Sequence, residues 1–403
     1  MFWGGPDQEI AVNRKSVRDL DVQGKRVLVR VDFNVPVKNG EVTDDTRIRR
    51  ALPTIQHLLS EGARPALISH LGRPKGEPDP KYAMDPVAKR LGELLGGPVT
   101  KLDTAVGQEV KDALDGLDGG VVLLENSRFY PGETKNDAGL AEELAAPFDL
   151  YVNDAFGAAH RAHATTVGVA ERLPSAAGLL MEAEINYLDG VLKDPQRPFV
   201  AILGGAKVSD KLGVIESLLG VADSLLVGGA MCFTFFKSQG HEIGNSLVED
   251  DYLEEAKRLM DAAGERLVLP VDVVVADEME EGAETETVGV DAIPSGKMGL
   301  DIGPESVEAF REKISGARTI FWNGPMGVFE IDAFAKGTEG VAKAVAEASG
   351  GGATSVIGGG DSVAAVNKLG LDDRMSHIST GGGASLEYVE GKELPGVAVL
   401  PEK

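Results

Sequence analysis

Short β-branched runs alternate with stretches of helical periodicity along almost the whole chain, and this alternation limits the fold more than any other feature. The runs are RVLVRVD (26–32), PALIS (65–69), GVVLLE (120–125), LYVND (150–154), FVAILGG (199–205), SLLVGG (224–229), VDVVVA (271–276), RTIFW (318–322) and SVIGGG (355–360). Between them lie amphipathic segments such as RRALPTIQHLLSEG and DDYLEEAKRLMDAAG. Continuously apolar strands separated by helices predict parallel sheets buried on both faces. The class is α/β, doubly wound, and the pattern runs long enough for two such domains. A break is expected where SAAGLLMEAEINYLDGVL, with helix-like spacing of apolar residues, meets the two prolines of KDPQRP. The expected division is an N-terminal domain over 1–180, a linking helix over 181–198 and a C-terminal domain over 199–390. A tail over 391–403 could pack on either.

Composition narrows the class of function. With 43% hydrophobic residues and one cysteine, Cys232, the chain reads as globular, free of intrachain disulfides and at home in a reducing compartment. The start MFWGGPDQEIAV has neither the basic nor the long apolar region of a signal peptide, and no run approaches the roughly 20 apolar residues of a membrane span. A cytoplasmic protein with no membrane partner is expected. The 64 acidic residues against 40 basic ones give a net charge of −24, a field that repels nucleic acid. Because the acids are spread over patches such as VEDDYLEEAKRL and DEMEEGAETETV, the balance suggests a halophilic source of haloarchaeal type, where molar salt shortens the Debye length to about 3 Å.

In open α/β sheets ligands sit beyond the carboxyl ends of the strands. In the first half those ends lead to Asp32 and Asn34, to His70 and Arg73, to Arg128, and to His160, Arg161 and His163, while Arg47 opens a helix. Guanidinium groups bind phosphate and carboxylate oxygens bidentately, so four arginines at matching edges point to a small phosphorylated acid. His160-x-x-His163 admits three readings: half of a metal site, ordinary core, or part of the anion wall around Arg161. In the second half the strand ends lead to glycines, in ILGGAKVSDKLGVIESLL, VIGGGDSVAAVNKLG and STGGGASLEYV. Glycine lets backbone N–H groups approach a phosphate at a helix N-terminus. Lys207 and Lys211 are placed to face phosphates, Asp361 to hold Mg²⁺, Gly382 and Gly383 to meet a group in transit, and Asn323 and Glu330 to address a nucleoside. Neither GxxxxGK[ST] nor GxGxxG occurs at these loops, which argues against a P-loop NTPase and a dinucleotide-binding dehydrogenase.

The motifs RVDFNVP, SHLGRP, DAFGAAHRAHA, LGGAKVSDK, NGPMGVFE, GGGDS and TGGGASLE occur in an order that resembles the phosphoglycerate kinase family over nearly the whole chain. The resemblance implies two Rossmann-like domains facing across a cleft that closes before transfer, and the reaction ATP + 3-phosphoglycerate ⇌ ADP + 1,3-bisphosphoglycerate of glycolysis and gluconeogenesis. It implies an acceptor site of Asp32, Phe33, Asn34, Arg47, His70, Leu71, Gly72, Arg73, Arg128 and Arg161. The Mg-nucleotide site it implies comprises Gly205, Ala206, Lys207, Lys211, Gly229, Asn323, Pro325, Glu330, Gly359, Gly360, Asp361 and Ser362, with Asp361 serving the metal. Arg47, Lys211, Gly360 and Gly383 are implied to act on the transferring group, His163 to be no main ligand, and the molecule to be a monomer. Departures are Ser362 where the family often has Thr, ENSRF where ENLRF is expected, and about ten extra residues at the N-terminus. Two other readings are weighed here, a metal-dependent hydrolase using His-x-x-His and a non-catalytic nucleotide-binding α/β protein.

Overall fold

The computed structural model describes residues 14–403, so the N-terminal extension lies outside it. The described chain divides into two compact units: everything up to Asn186 together with Glu393–Lys403, and Tyr187–Lys392.

The first unit is built on β1 (Arg26–Arg30), α1 (Thr46–Ser60), β2 (Arg64–Ile68), α2 (Asp85–Leu95), β3 (Val99–Lys101), α3 (Gln108–Asp115), β4 (Val121–Leu123), α4 (Ala138–Ala145), β5 (Leu150–Asn153) and β6 (Ser175–Ala177). These six strands form one sheet in the order β3-β4-β2-β1-β5-β6, and every pairing in that sheet is parallel. The apolar run in β1 is continuous because successive side chains face opposite cores. Val27 and Val29 pack with Ile48, Ile55 and Leu67, whereas Leu28 packs with Ala66, Ile68 and Val122. The strand order reverses between β1 and β5, and the register sets Arg30 against Asn153 there.

Helix α5 (Leu179–Leu192) leaves this unit, ending before KDPQRP and thus short of the expected 198. The second unit continues through β7 (Phe199–Leu203), α6 (Leu212–Val221), β8 (Ser224–Val227), α7 (Cys232–Ser238), α8 (Leu253–Ala263), β9 (Leu267–Val268), β10 (Asp272–Ala276), β11 (Glu286–Gly289) and β12 (Met298–Ile302). It closes with α9 (Pro304–Ser315), β13 (Thr319–Asn323), α10 (Lys336–Gly350), β14 (Thr354–Gly358), α11 (Gly360–Lys368), β15 (His377–Ile378) and α12 (Gly383–Val389). Its main sheet is also six-stranded and parallel, in the order β9-β8-β7-β13-β14-β15. On one face Val200, Ile202 and Trp322 pack with Phe310, Val341 and Val345.

One strand departs from the expected parallel pattern. VDVVVA forms β10, which pairs antiparallel with both β11 and β12 in a separate three-stranded sheet. An apolar run reports burial and is silent on strand direction, so the sequence could not show this. The tail contains α13 (Pro395–Ala398) and belongs to the first unit, with Asn153 Nδ2 donating to Gly396 O at 3.0 Å and Gly396 N to Ala159 O at 2.8 Å. Among the described residues no helix is long and apolar enough to cross a membrane.

Candidate active site

On the first unit the candidate residues gather at the carboxyl ends of β1, β2, β4 and β5. Arg47, in the first turn of α1, donates to Asp32 Oδ2 at 2.7 Å. Asn34 Oδ1 accepts from Gly72 N at 2.9 Å, and Gly72 O accepts from Arg128 Nη1 at 2.8 Å, so three loops are tied in sequence. Phe33 N donates to Ser69 Oγ at 2.8 Å, and Leu71 exchanges two hydrogen bonds with the Asn126 amide. Arg73 and Arg161 are exposed, and Arg161 Nε lies 3.2 Å from His160 Nε2. His70 is buried among cations. Burial holds its imidazole well below the usual histidine range, and Arg30, Arg128, Arg47 and His163 add to the effect. Arg30 Nη2 lies 3.0 Å from His70 Nδ1. A guanidinium can only donate, so neutral His70 accepts at Nδ1 and presents Nε2–H as a donor.

His163 is pushed down to about 4 by burial, which outweighs the opposing pull of Glu133; Arg30, Arg128 and Arg161 lower it further. Burial lowers Arg128 below the usual guanidinium range, and it feels Arg30, Glu133, Arg73 and Asp32 in turn. These mutual fields bring the arginines predicted from separate strand ends into one neighbourhood. No carboxylate lies within ion-pairing distance of Arg73, Arg128 or Arg161 among the described residues, in a chain of net charge −24. Such a set can bind a multiply charged anion. Among the described residues no group of three metal-ligating side chains gathers, so the metal reading of His160-x-x-His163 has no support.

Two further residues of this neighbourhood escaped the sequence reading. Arg30 is fully buried at the end of β1, with Nε and Nη1 lacking acceptors, and an anion in reach would supply them. Its signal was a charge inside an otherwise apolar strand. Glu133 is fully buried beside His163, and nothing in PGETKND marks it out.

On the second unit the site surrounds the point where strand order reverses, between β7 and β13. Register pairs Leu203 with Asn323, which sets Gly204-Gly205 beside Asn323-Gly324. The loops interlock through backbone bonds: Gly204 N to Asn323 O at 2.9 Å, Gly205 N to Pro325 O at 3.2 Å and Gly229 N to Met326 O at 3.0 Å. A Cβ on Gly204 would stand 2.0 Å from Pro325 O, so only glycine permits this approach. Gly324 N donates to Ser362 Oγ at 2.5 Å, which gives the hydroxyl of Ser362 a structural task. Lys211 caps α6 and donates to Asn323 Oδ1. Burial lowers its ammonium below the usual lysine range, against the pull of Asp361, Asp210 and Glu390. Ala206, Lys207, Glu330, Gly360 and Asp361 are exposed, as is Gly383 at the start of α12, while Gly359 precedes α11 with φ +85°.

The profile of the phosphoglycerate kinase family matches residues 17–392. This chain belongs to that family. It is a phosphotransferase with a carboxyl group as acceptor, moving a phosphoryl group between ATP and 3-phosphoglycerate in glycolysis. The phosphoglycerate kinase of Rubrobacter xylanophilus is 79% identical over 392 residues, covering 97% of this chain and 99% of that relative. The phosphoglycerate kinase of Thermosipho africanus is 57% identical, with 97% and 99% covered. The solved phosphoglycerate kinase from Coxiella burnetii superposes with a TM-score of 0.87 at 43% identity, covering 96% of this chain and 98% of that one. The halophilic, haloarchaeal origin expected from the acidic composition is not supported, since these relatives are of other origin. Acidity alone is a statement about charge and solubility, not about source.

Proposed function

We propose that the arginine cluster of the first unit holds 3-phosphoglycerate and the glycine loops of the second hold the nucleotide. The observation that carries this reading is that Arg73, Arg128 and Arg161 have no carboxylate within ion-pairing distance among the described residues of an acid-rich chain. Arg73, Arg128 and Arg161 take the acceptor's phosphate, with Arg30 and the Nε2–H of His70 supplying inner donors. Asp32 and Asn34 orient the glycerate, and Arg47 addresses its carboxyl end, where the new bond forms. That carboxylate is already ionised at neutral pH, since such groups titrate near 4, so no general base is needed. What the step requires is alignment of the two oxygens and neutralisation of charge on the phosphoryl group.

The backbone N–H groups of Ala206, Gly360 and Gly383 meet phosphate oxygens, Gly205 and Gly229 shape the loops with their own N–H groups spent on Pro325 O and Met326 O, Lys207 and Lys211 neutralise the phosphates, and Glu330 and Asn323 with Pro325 hold the nucleoside end. The family uses Mg-nucleotide. Asp361, exposed in the first turn of α11 and within the field of Lys211, fits that ion, because Mg²⁺ commonly takes one protein carboxylate and fills its shell from phosphates and water. When bound, the ion would act as a Lewis acid that neutralises phosphate charge.

The test is ADP formation from ATP and Mg²⁺ with and without 3-phosphoglycerate, for Arg47→Ala, Arg128→Ala, Lys211→Ala and Asp361→Ala. Loss of a hydrogen bond to a charged group predicts an acceptor KM raised about ten- to a hundredfold in Arg128→Ala with nucleotide KM unchanged. Lys211→Ala should lose kcat and keep the acceptor KM. An Arg128 variant with altered nucleotide KM alone would sink the assignment of the two ligands to the two units.

A further inference from the structure

The carboxylate of Glu133 has no part in the chemistry above, yet it lies among the acceptor's arginines. It begins a short turn, Glu133–Lys135, five residues beyond Arg128. Oε1 accepts from Thr165 Oγ1 at 2.6 Å and from Ser127 Oγ at 3.2 Å, and Oε2 accepts from Thr165 N at 3.0 Å. His163 Nδ1 stands 3.9 Å from Oε1. Ser127 directly precedes Arg128. Thr165 follows the Arg161–His163 turn, and Tyr151 fixes it further by donating its hydroxyl to Thr165 O at 2.7 Å. Thr166 ties that turn to the same point, its Oγ1 donating to Arg161 O at 2.9 Å and accepting from His163 N at 3.0 Å.

The loops that carry Arg128 and Arg161 leave β4 and β5, which are not neighbours: β2 and β1 stand between them. No backbone ladder therefore joins the two loops directly, and the Glu133 carboxylate bonds to both. By charge alone a carboxylate here opposes anion binding, so what it contributes is geometry. We propose that Glu133 is a positioning residue that fixes the separation of Arg128 and Arg161 and so the grip on the acceptor, an inference that rests on the acceptor site assigned above.

Glutamine can keep this tether without the charge. Its amide oxygen can replace Oε2 toward Thr165 N–H, and its NH₂ can donate to the Thr165 and Ser127 hydroxyls, which can accept as well as donate. Steady-state kinetics and thermal unfolding of Glu133→Ala, Glu133→Gln and Thr165→Val, beside Arg128→Ala and Arg161→Ala, test the idea. In Glu133→Ala the KM for 3-phosphoglycerate should rise about tenfold, the scale of a lost buried hydrogen-bond set, with the KM for ATP unchanged. Glu133→Gln should stay near the parent, and Thr165→Val should fall between. A parental acceptor KM in Glu133→Ala, a parallel rise in both KM values, or a glutamine variant as impaired as alanine would each overturn it. Should Glu133→Ala not fold, Thr165→Val decides: a raised acceptor KM supports the tether and an unchanged one refutes it. If the two arginine variants keep the parental acceptor KM, the acceptor-site assignment fails and the tether with it; if only Glu133→Ala is silent, the tether alone fails.

Discussion

At the scale of single residues, the surroundings of a glycine help to separate packing from ligand approach. Gly204 is required by the fold, since any side chain would meet Pro325 O. Gly383 differs: a Cβ there would meet nothing within 4 Å, its φ is not in the left-handed region, and it is the first residue of α12. Neither packing nor backbone conformation explains it, whereas the proposed approach of a ligand to the N–H would. Gly383→Ala should therefore fold with its Tm unchanged or raised, because alanine is favoured over glycine in a helix by about 1 kcal/mol. Its kcat should fall while the KM for 3-phosphoglycerate holds. A variant with parental kcat would remove Gly383 from the transfer step. The arginines were legible in sequence because each follows a strand, and strand ends are where such sheets bind ligands. Glu133 was not, since its partners are Ser127 and Thr165, and a contact of that kind has no local pattern. Arg30 was read only as strand.

At the scale of elements, the start of α5 carries a buried acid. Asp154, just beyond β5, accepts from Leu180 N at 2.9 Å and Met181 N at 3.1 Å through Oδ1. It is fully buried, and burial raises its carboxyl to about 6 although those N–H groups and Thr54 pull it down. Helix N-termini favour a negative charge, so burial is the stronger influence here. The sign follows. Between the unfolded value near 4 and the folded value near 6 the native state holds the extra proton, so this group's stabilising contribution is complete below about pH 4 and is lost as pH rises through 6. The loss is on the order of 3 kcal/mol. Asp154→Asn cannot titrate, and its stability relative to the parent should improve by that order between pH 4 and pH 7 in urea unfolding. A pH-independent difference would show that Asp154 titrates normally. Elements such as β1, β7 and β13 were legible because both faces are buried and the apolar run is unbroken. The strands β3, β6, β9 and β15 are two or three residues long, too short for a period to show. β10 looked like its parallel counterparts because direction is set by its partners, and β11 and β12, the next two strands, carry no apolar run of their own to be read.

At the scale of the whole molecule, the chain returns at its end to the unit that holds its first described residues, and the sequence left that choice open. The tail PGVAVL carries no charge or motif naming a partner, and its association is decided by long-range contacts. Leu394, Val397 and Leu400 are buried, Lys15 N donates to Pro401 O at 2.8 Å, and Gly396 exchanges bonds with Ala159 and Asn153. Fully burying one such apolar side chain is worth about 1.5–3 kcal/mol, so the tail contributes several kcal/mol to the first unit alone. The contact at Ala159 lies two residues before Arg161, so the tail also supports the loop proposed to hold the acceptor. Deleting Glu393–Lys403 should therefore lower the unfolding temperature of the first unit and raise the acceptor KM, leaving the nucleotide Kd as it was. Gly396→Ala is the milder form of the same test, since its Cβ would stand 2.9 Å from Ala159 Cα and must displace backbone. Isothermal titration with ADP and with 3-phosphoglycerate separates the outcomes. Weakened binding of 3-phosphoglycerate alone supports the tail as a brace for Arg161. Equal weakening of both ligands would mean that its loss disturbs the fold of both units, and intact binding of both would leave it a stabilising strap with no bearing on the acceptor.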